Sequence, residues 1–230
     1  MLARCAGFVF RAPGFSHPSV PVWLRAGFAL SLATLVAPDG GVRGEDVYGF
    51  VAASIVEFLL GSAIGMTASL IYDAAYAGGR VVDDYIGVRA IAPSAMLVAP
   101  SGYGRLWSLA FTGSFFLSGA YRPMLLQFGE SFVRIPPESS VDVSQWTAFV
   151  AGFAQTFVLV AVQVAAPAVA AAFVVQIALG ALSRVVPRFG SLTLAFPLAF
   201  AAALLASVIV VPLEVQHAPL PAVLVPGARR

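Results

Sequence analysis

The sequence predicts an all-α, polytopic membrane protein with long, kinked helices, and three observations carry that prediction. Of 230 residues, 60% are apolar and 10% charged, against roughly 45–50% and about 25% in a soluble domain. The mean hydropathy is +0.90, more than a water-facing surface tolerates. The apolar residues also fall into stretches of the length that a bilayer core about 30 Å thick demands, near 20 helical residues. A soluble enzyme, a disordered tail and a coiled coil are excluded together.

Five apolar stretches follow in order: Val22 to Ala37, Val47 to Tyr72, Leu106 to Phe128, Trp146 to Leu182 and Leu192 to Val211. The first is short and carries Arg25. The fourth is too long for one straight crossing, and Pro167 inside it removes a backbone donor, so a kink or a division into two short spans is expected there. The connections are a Pro-Asp-Gly-Gly turn within Pro38 to Asp46, a long mixed segment from Asp73 to Arg105, a polar loop over Gly129 to Gln145 around Pro136-Pro137, and Ser183 to Ser191. Before the first stretch, Cys5 to Phe10 is apolar but too short for a signal-peptide core, and it reads as the end of a first helix truncated at the N-terminus. The expected organisation is one helical membrane domain over residues 1–213 and a proline-rich, unstructured tail over residues 214–230.

Charge and cysteine content narrow the function. All thirteen basic residues are arginine and stand singly between apolar stretches, so no basic stripe for nucleic acid forms; they read as anchors of membrane segments. Their distribution does not orient the chain. With one crossing per long stretch, Arg80, Arg89, Arg105, Arg184 and Arg188 share the N-terminal side, and Arg43, Arg122, Arg134, Arg229 and Arg230 the other. Cys5, the single cysteine, can form neither an internal disulfide nor a metal cluster. His17 and His217 lie near the two ends, far from the acidic clusters, and no Gly-x-Ser-x-Gly elbow, His-Glu-x-x-His helix or P-loop occurs. Catalysis, cofactor and metal are not expected.

Glu57 is the residue that most needs an explanation. It stands mid-stretch in Ala53-Ser54-Ile55-Val56-Glu57-Phe58-Leu59-Leu60, where a carboxylate costs roughly 2.5–3.5 kcal/mol on insertion scales. Three readings answer that cost: a contact in a polar pore, a buried pair with an arginine, or a protonated, hydrogen-bonded packing residue. Gly61 and Gly65 follow at spacings of four and present small residues on the same face, where another helix can come close. A small transporter using Glu57 for proton coupling is the alternative to an assembly role. Further on, Gly78 to Arg89 holds Asp83 and Asp84 between arginines, too few ligands for a metal and better read as a structural or gating loop that includes Gly87. Ala92 to Pro100, bounded by Pro93 and Pro100 and containing Met96, is too short to span and reads as a re-entrant or pore-lining loop.

Several short motifs then line up in order: Arg11-Ala12-Pro13-Gly14-Phe15-Ser16, Val20-Pro21-Val22-Trp23-Leu24-Arg25, Glu57-x-x-x-Gly61-x-x-x-Gly65, Gly79-Arg80-Val81-Val82-Asp83, Phe115-Phe116-Leu117-Ser118-Gly119, Ala165-Ala166-Pro167, Leu182-Ser183-Arg184-Val185-Val186-Pro187 and Leu194-Ala195-Phe196-Pro197. This ordered set, spread from about Arg4 to Leu205, resembles the FliR/SctT family of the type III secretion export apparatus, flagellar or injectisome. The resemblance implies a non-enzymatic, channel-forming subunit of the bacterial inner membrane. That subunit would close a helical export-gate assembly with FliP/SctR-like and FliQ/SctS-like subunits. It would contact FlhB/SctU-like and FlhA/SctV-like export proteins and pass unfolded secreted substrates. It further implies a pore plug at roughly Val88 to Gly104, with Asp83, Gly87, Pro93, Met96 and Pro100 in or beside it. Assembly contacts fall at Glu57, Gly61, Gly65, Arg184 and Pro187. Val82-Asp83 resembles the Ile-Asp of injectisome members and inclines the reading toward a virulence or symbiosis system.

Overall fold

The structure is a computed structural model that describes residues 1–16, 20–36, 47–87, 102–136, 143–186 and 192–217. Among these, every regular element is a helix: α1 (Leu2–Arg11), α2 (Val22–Val36), α3 (Val47–Ile86), α4 (Gly102–Leu117), α5 (Tyr121–Arg134), α6 (Val143–Ser183) and α7 (Leu192–His217). The chain forms two compact units. The first contains Met1–Leu70 and Phe115–Gln155, and the second Ile71–Ser114 and Thr156–Ala218.

In the first unit, α1 buries Arg4, Cys5, Gly7, Phe8 and Val9 along one side. It ends at Ala12, whose backbone is extended, because Pro13 disfavours a helical residue before it. α1 packs on α2, which buries only Ala29 and Ala33 and leaves its other apolar side chains outward. α4 and α5 meet at a corner over Ser118–Ala120, where Gly119 takes φ +74°, a left-handed conformation that glycine adopts without steric cost. α5 is amphipathic. Its Met124, Phe128, Ser131 and Phe132 are buried, and Phe128 stacks on Phe8 with ring centroids 4.1 Å apart.

The second unit is built around glycines of α3. A Cβ at Gly78 would stand 2.6 Å from the Ala161 carbonyl oxygen of α6, and one at Gly79 would collide with the Gly104 backbone of α4. Two helix backbones therefore lie directly against α3, as small residues permit. Trp107 is fully buried here, and Tyr103, 2% exposed, packs on it edge-on. The phenol of Tyr103 donates to the Phe200 carbonyl of α7 at 2.7 Å.

Several boundaries differ from the sequence expectation, each for a physical reason. The polar segment after Tyr72 is not a loop to Ile86 but the continuation of α3; its two glycines cost helix propensity but permit the close contacts just described. The third stretch is two helices rather than one, divided at Gly119, and α5 extends to Arg134 into the expected loop. α6 runs without interruption through Pro167. One lost backbone bond is tolerated in an apolar helix whose alternatives would expose many more polar groups. α7 continues to His217, past Pro212. Residues 2–11, which precede the first of the five apolar stretches, are helical and bury one side.

α3 and α6 are long and apolar enough to cross a membrane. Only 28% of the most apolar window of α3 and 22% of that of α6 is buried, whereas a core helix of a soluble protein would be covered nearly all round. α2 and the Ala195–Ile209 part of α7 are apolar but shorter.

Candidate functional site

The buried carboxylate of α3 meets α1. Arg4, 1% exposed, places Nε 2.6 Å from Glu57 Oε2 and Nη2 2.7 Å from Oε1. Both carboxylate oxygens thus accept from one guanidinium in the fork geometry that makes arginine–carboxylate pairs directional. The remaining arm, Nη1, donates to the Ser131 carbonyl of α5 at 3.0 Å, and the guanidinium carbon lies 4.5 Å from the centroid of the Phe132 ring. One arginine therefore ties three helices together, with Glu57 itself 8% exposed. Of the readings open for Glu57, this geometry is the buried arginine pair. Both of its oxygens are engaged by the one guanidinium.

The glycines beside Glu57 explain how α1 gets close enough. A Cβ on Gly61 would overlap the Arg4 carbonyl, and one on Gly65 would lie 2.7 Å from the Phe8 carbonyl oxygen. Gly7 faces back the same way, toward the Phe58 carbonyl and the Ser62 nitrogen. The helix that fills the small-residue face of α3 is thus α1 of the same chain. Cys5 sits in this contact with no exposed surface. α1 is too short to span, and burial pushes the Cys5 thiol up from its ordinary range.

Asp83 occupies a second buried position, 3% exposed, on the last turn of α3. Its carboxylate accepts from the Tyr103 backbone N–H at 3.2 Å, at the start of α4. A negative group at this place satisfies an otherwise orphan donor and favours the positive end of the helix. Gly87 donates its N–H to the Asp83 carbonyl at 3.2 Å, the last bond of the helical pattern, and its φ of +85° turns the chain out of the helix, so α3 ends at Ile86. Asp83 is therefore helical, not part of a loop.

The residues singled out in the sequence do not form one site. Glu57, Gly61 and Gly65 come together in the first unit, while Asp83 and Gly87 stand at the end of α3 in the second. Arg184 is exposed just beyond α6. Pro93, Met96, Pro100 and Pro187 lie outside the described residues, as does His17. Sequence reasoning missed Arg4, Ser131 and Tyr103. A signal for Arg4 existed: a mid-helix acid calls for a base within or beside an apolar segment, and Arg4, Arg25 and Arg122 are arginines so placed. Arg25 instead lies 5.8 Å from the centroid of the Phe10 ring.

Among the described residues no group of three or more His, Cys, Asp or Glu comes together. The arrangement offers tight helix packing neutralised by an internal ion pair, on helices whose outer faces are apolar. It defines an all-helical membrane protein. The sequence matches the family "Bacterial export proteins, family 1" over residues 1–219, and the chain belongs to that family. It is 30% identical to the Yop proteins translocation protein T of Yersinia pestis, covering 86% of this chain and 78% of that protein. It is 26% identical to the flagellar biosynthetic protein FliR of Bacillus subtilis, over 86% and 79% of the two chains. The FliR of Caulobacter vibrioides is also 26% identical, over 86% and 81%. Membership makes the chain an export-apparatus component of the type III secretion and flagellar class.

Proposed function

We propose that the protein is the FliR/SctT-type structural subunit of a type III export gate, a multi-pass protein of the bacterial inner membrane. It closes a helical core complex with FliP/SctR-like and FliQ/SctS-like subunits, forms part of the channel for unfolded proteins, and adjoins FlhB/SctU-like and FlhA/SctV-like export proteins. It acts by packing and shape and carries no catalytic centre. The observation that supports this reading most is the outer surface of the two long helices. Ile55, Leu59, Val158, Val162, Val174 and Ile177 are each more than half exposed, while the charged group at the centre of α3 is turned inward and paired. Such helices need lipid or sister helices around them, and membership in an export family supports sister helices.

In this proposal Glu57, Gly61 and Gly65 serve assembly by fixing α1 on α3, so that one composite surface is offered to the neighbours. Arg184 and Pro187 lie at a further subunit contact beyond α6. The segment from Val88 to Gly104, with Met96, plugs the closed pore. Asp83 and Gly87 hold its near end, since the Asp83 carboxylate also joins α3 to the start of α4.

The test is made in the protein's own host. Deleting the gene abolishes type III or flagellar export, and the wild-type gene restores it. Met96→Gly restores export but lets small ions through the resting membrane. Normal export without the gene overturns the subunit assignment, and an unchanged ion permeability of the Met96 variant overturns the plug.

A further inference from the structure

The outer face of α5 has an order along its length that packing within the chain does not explain. Arg122 stands exposed at one end, and Leu126 and Val133 follow at 70% and 82% exposure. At about 100° per residue both lie within ~40° of Arg122 around the axis. Between them Gly129 adds no side chain, and a Cβ placed there would meet open space. The face is therefore a cation followed by a shallow apolar furrow. Glu130 and Arg134, the other charges of α5, lie to one side, ~80° and ~120° round from Arg122, and neutralise each other at 2.8 Å.

Contacts within the first unit give the depth of this face. Gly61 and Gly65 of α3 lie against the carbonyls of Arg4 and Phe8, so α1 runs parallel to α3. Arg4 donates to Ser131 and Phe8 stacks on Phe128, so α5 runs antiparallel to both. Phe128 is thus level with Gly65. At the start of α3, Tyr48 is 84% exposed, an aromatic of the type that sits at a membrane–water boundary. At 1.5 Å per residue Gly65 lies ~26 Å from Tyr48 and Arg122 ~35 Å, just past a hydrocarbon core about 30 Å thick. Val133 lies ~17 Å back from Arg122, close to the midplane. The furrow spans half a bilayer, the reach of one acyl chain, and the cation stands at phosphate level.

The same end of the unit gathers a second cation and more aromatic surface. Arg11 stands over Gly65 and is exposed. Three residues on, Gly14 meets the Phe116 ring, which is 6.2 Å from the Tyr121 ring, and the Arg122 guanidinium lies 5.9 Å from Tyr121. Among the described residues neither Arg11 nor Arg122 is in an ion pair, and the first turn of α5 holds no acid. A sister helix on this face would need an acid at one end only. An anionic phospholipid supplies the negative charge and the apolar tail in that vertical order.

We propose that the outer face of α5 binds an anionic phospholipid, with its phosphate on Arg122, Arg11 adding positive charge at the same boundary, and one acyl chain along Leu126, Gly129 and Val133. The assignment rests on the membrane reading given above and names a lipid class and a place for it.

The experiment uses the chain assembled with its sister subunits in phosphatidylcholine nanodiscs. These contain a trace of phosphatidylglycerol carrying a photoreactive acyl chain, or the matching phosphatidylcholine. Phosphatidylglycerol labels the Leu126–Val133 segment at least fivefold more than its neutral counterpart. Arg122→Gln lowers that labelling about fivefold, the weight of one cation at an anionic surface, and Arg122→Lys keeps most of it. Gly129→Leu fills the furrow and lowers labelling by both lipids; Gly129→Ala serves if the leucine variant fails to assemble. Equal labelling by the two lipids, or labelling indifferent to Arg122→Gln, overturns the proposal, because the face then meets hydrocarbon without selecting a headgroup. An unlabelled α5 beside labelled α3 and α6 overturns it too, because a sister helix then covers the face. If neither lipid labels any part of the chain, the membrane reading falls with it.

Discussion

At the residue scale the decisive contact is Arg4 with Glu57. A charge pair removed from water gains little when complete, but breaking it leaves one ion buried and alone, at about 3–5 kcal/mol. Arg4→Ala and Glu57→Ala therefore each lower the thermal stability of the assembled complex strongly. The double variant costs much less than the sum of the two, and a double-mutant cycle on melting temperature measures this coupling. Additive losses would mean that the two side chains do not act as a unit. Cys5 reports on the same contact. Buried and with its thiol pushed up, it supplies little of the thiolate that reacts, so a permeant maleimide labels the wild type slowly. Gly61→Leu drives a side chain into the Arg4 backbone, displaces α1 and raises that labelling rate at least tenfold; an unchanged rate would contradict the α1–α3 packing. What the sequence disclosed at this scale was that Glu57 required a partner. The identity of the partner was hidden, because Arg4 is 53 positions away and stands before the first of the long apolar stretches.

At the element scale, Asp83 links the end of one helix to the start of the next. Asp83→Ala removes the acceptor for the Tyr103 N–H and costs about 1 kcal/mol, as lost caps do. Asp83→Asn keeps an oxygen and costs less. Hydrogen exchange of the amides at the start of α4 reads this directly: faster in the alanine variant, near wild type in the asparagine variant. Equal exchange in all three would remove the cap from the account. Helix boundaries were the least legible feature of the sequence, again for physical reasons. Polar residues after Tyr72 suggested a loop because hydropathy records what a surface meets, not whether the backbone is helical. Pro167 suggested a break because its missing donor weakens a helix in water, whereas an apolar setting holds the remaining bonds in place. Gly119 could have marked the α4–α5 corner, but glycines within α3 carry no turn, so composition alone does not separate the two uses.

At the scale of the whole molecule the fold class was plain in the composition, since a chain 60% apolar with 10% charge has no soluble solution. The family was plain in the order of the motifs. Less legible was the division of labour between the two units: one closed by an ion pair and a glycine crossing, the other by close backbone contacts among α3, α4 and α6. Neither unit covers the outer sides of the long helices. The chain is therefore expected to fold only partly on its own and to reach its full stability among its neighbours. The most direct measurement is thermal unfolding in mild detergent of the chain purified alone and after co-expression with FliP/SctR-like and FliQ/SctS-like subunits. The account predicts an ill-defined, aggregating species alone and a single complex with a sharp transition at least 10 °C higher when the partners are present, a shift of the order expected when binding adds several kcal/mol. A monodisperse single chain that melts at the same temperature with and without those subunits would contradict it.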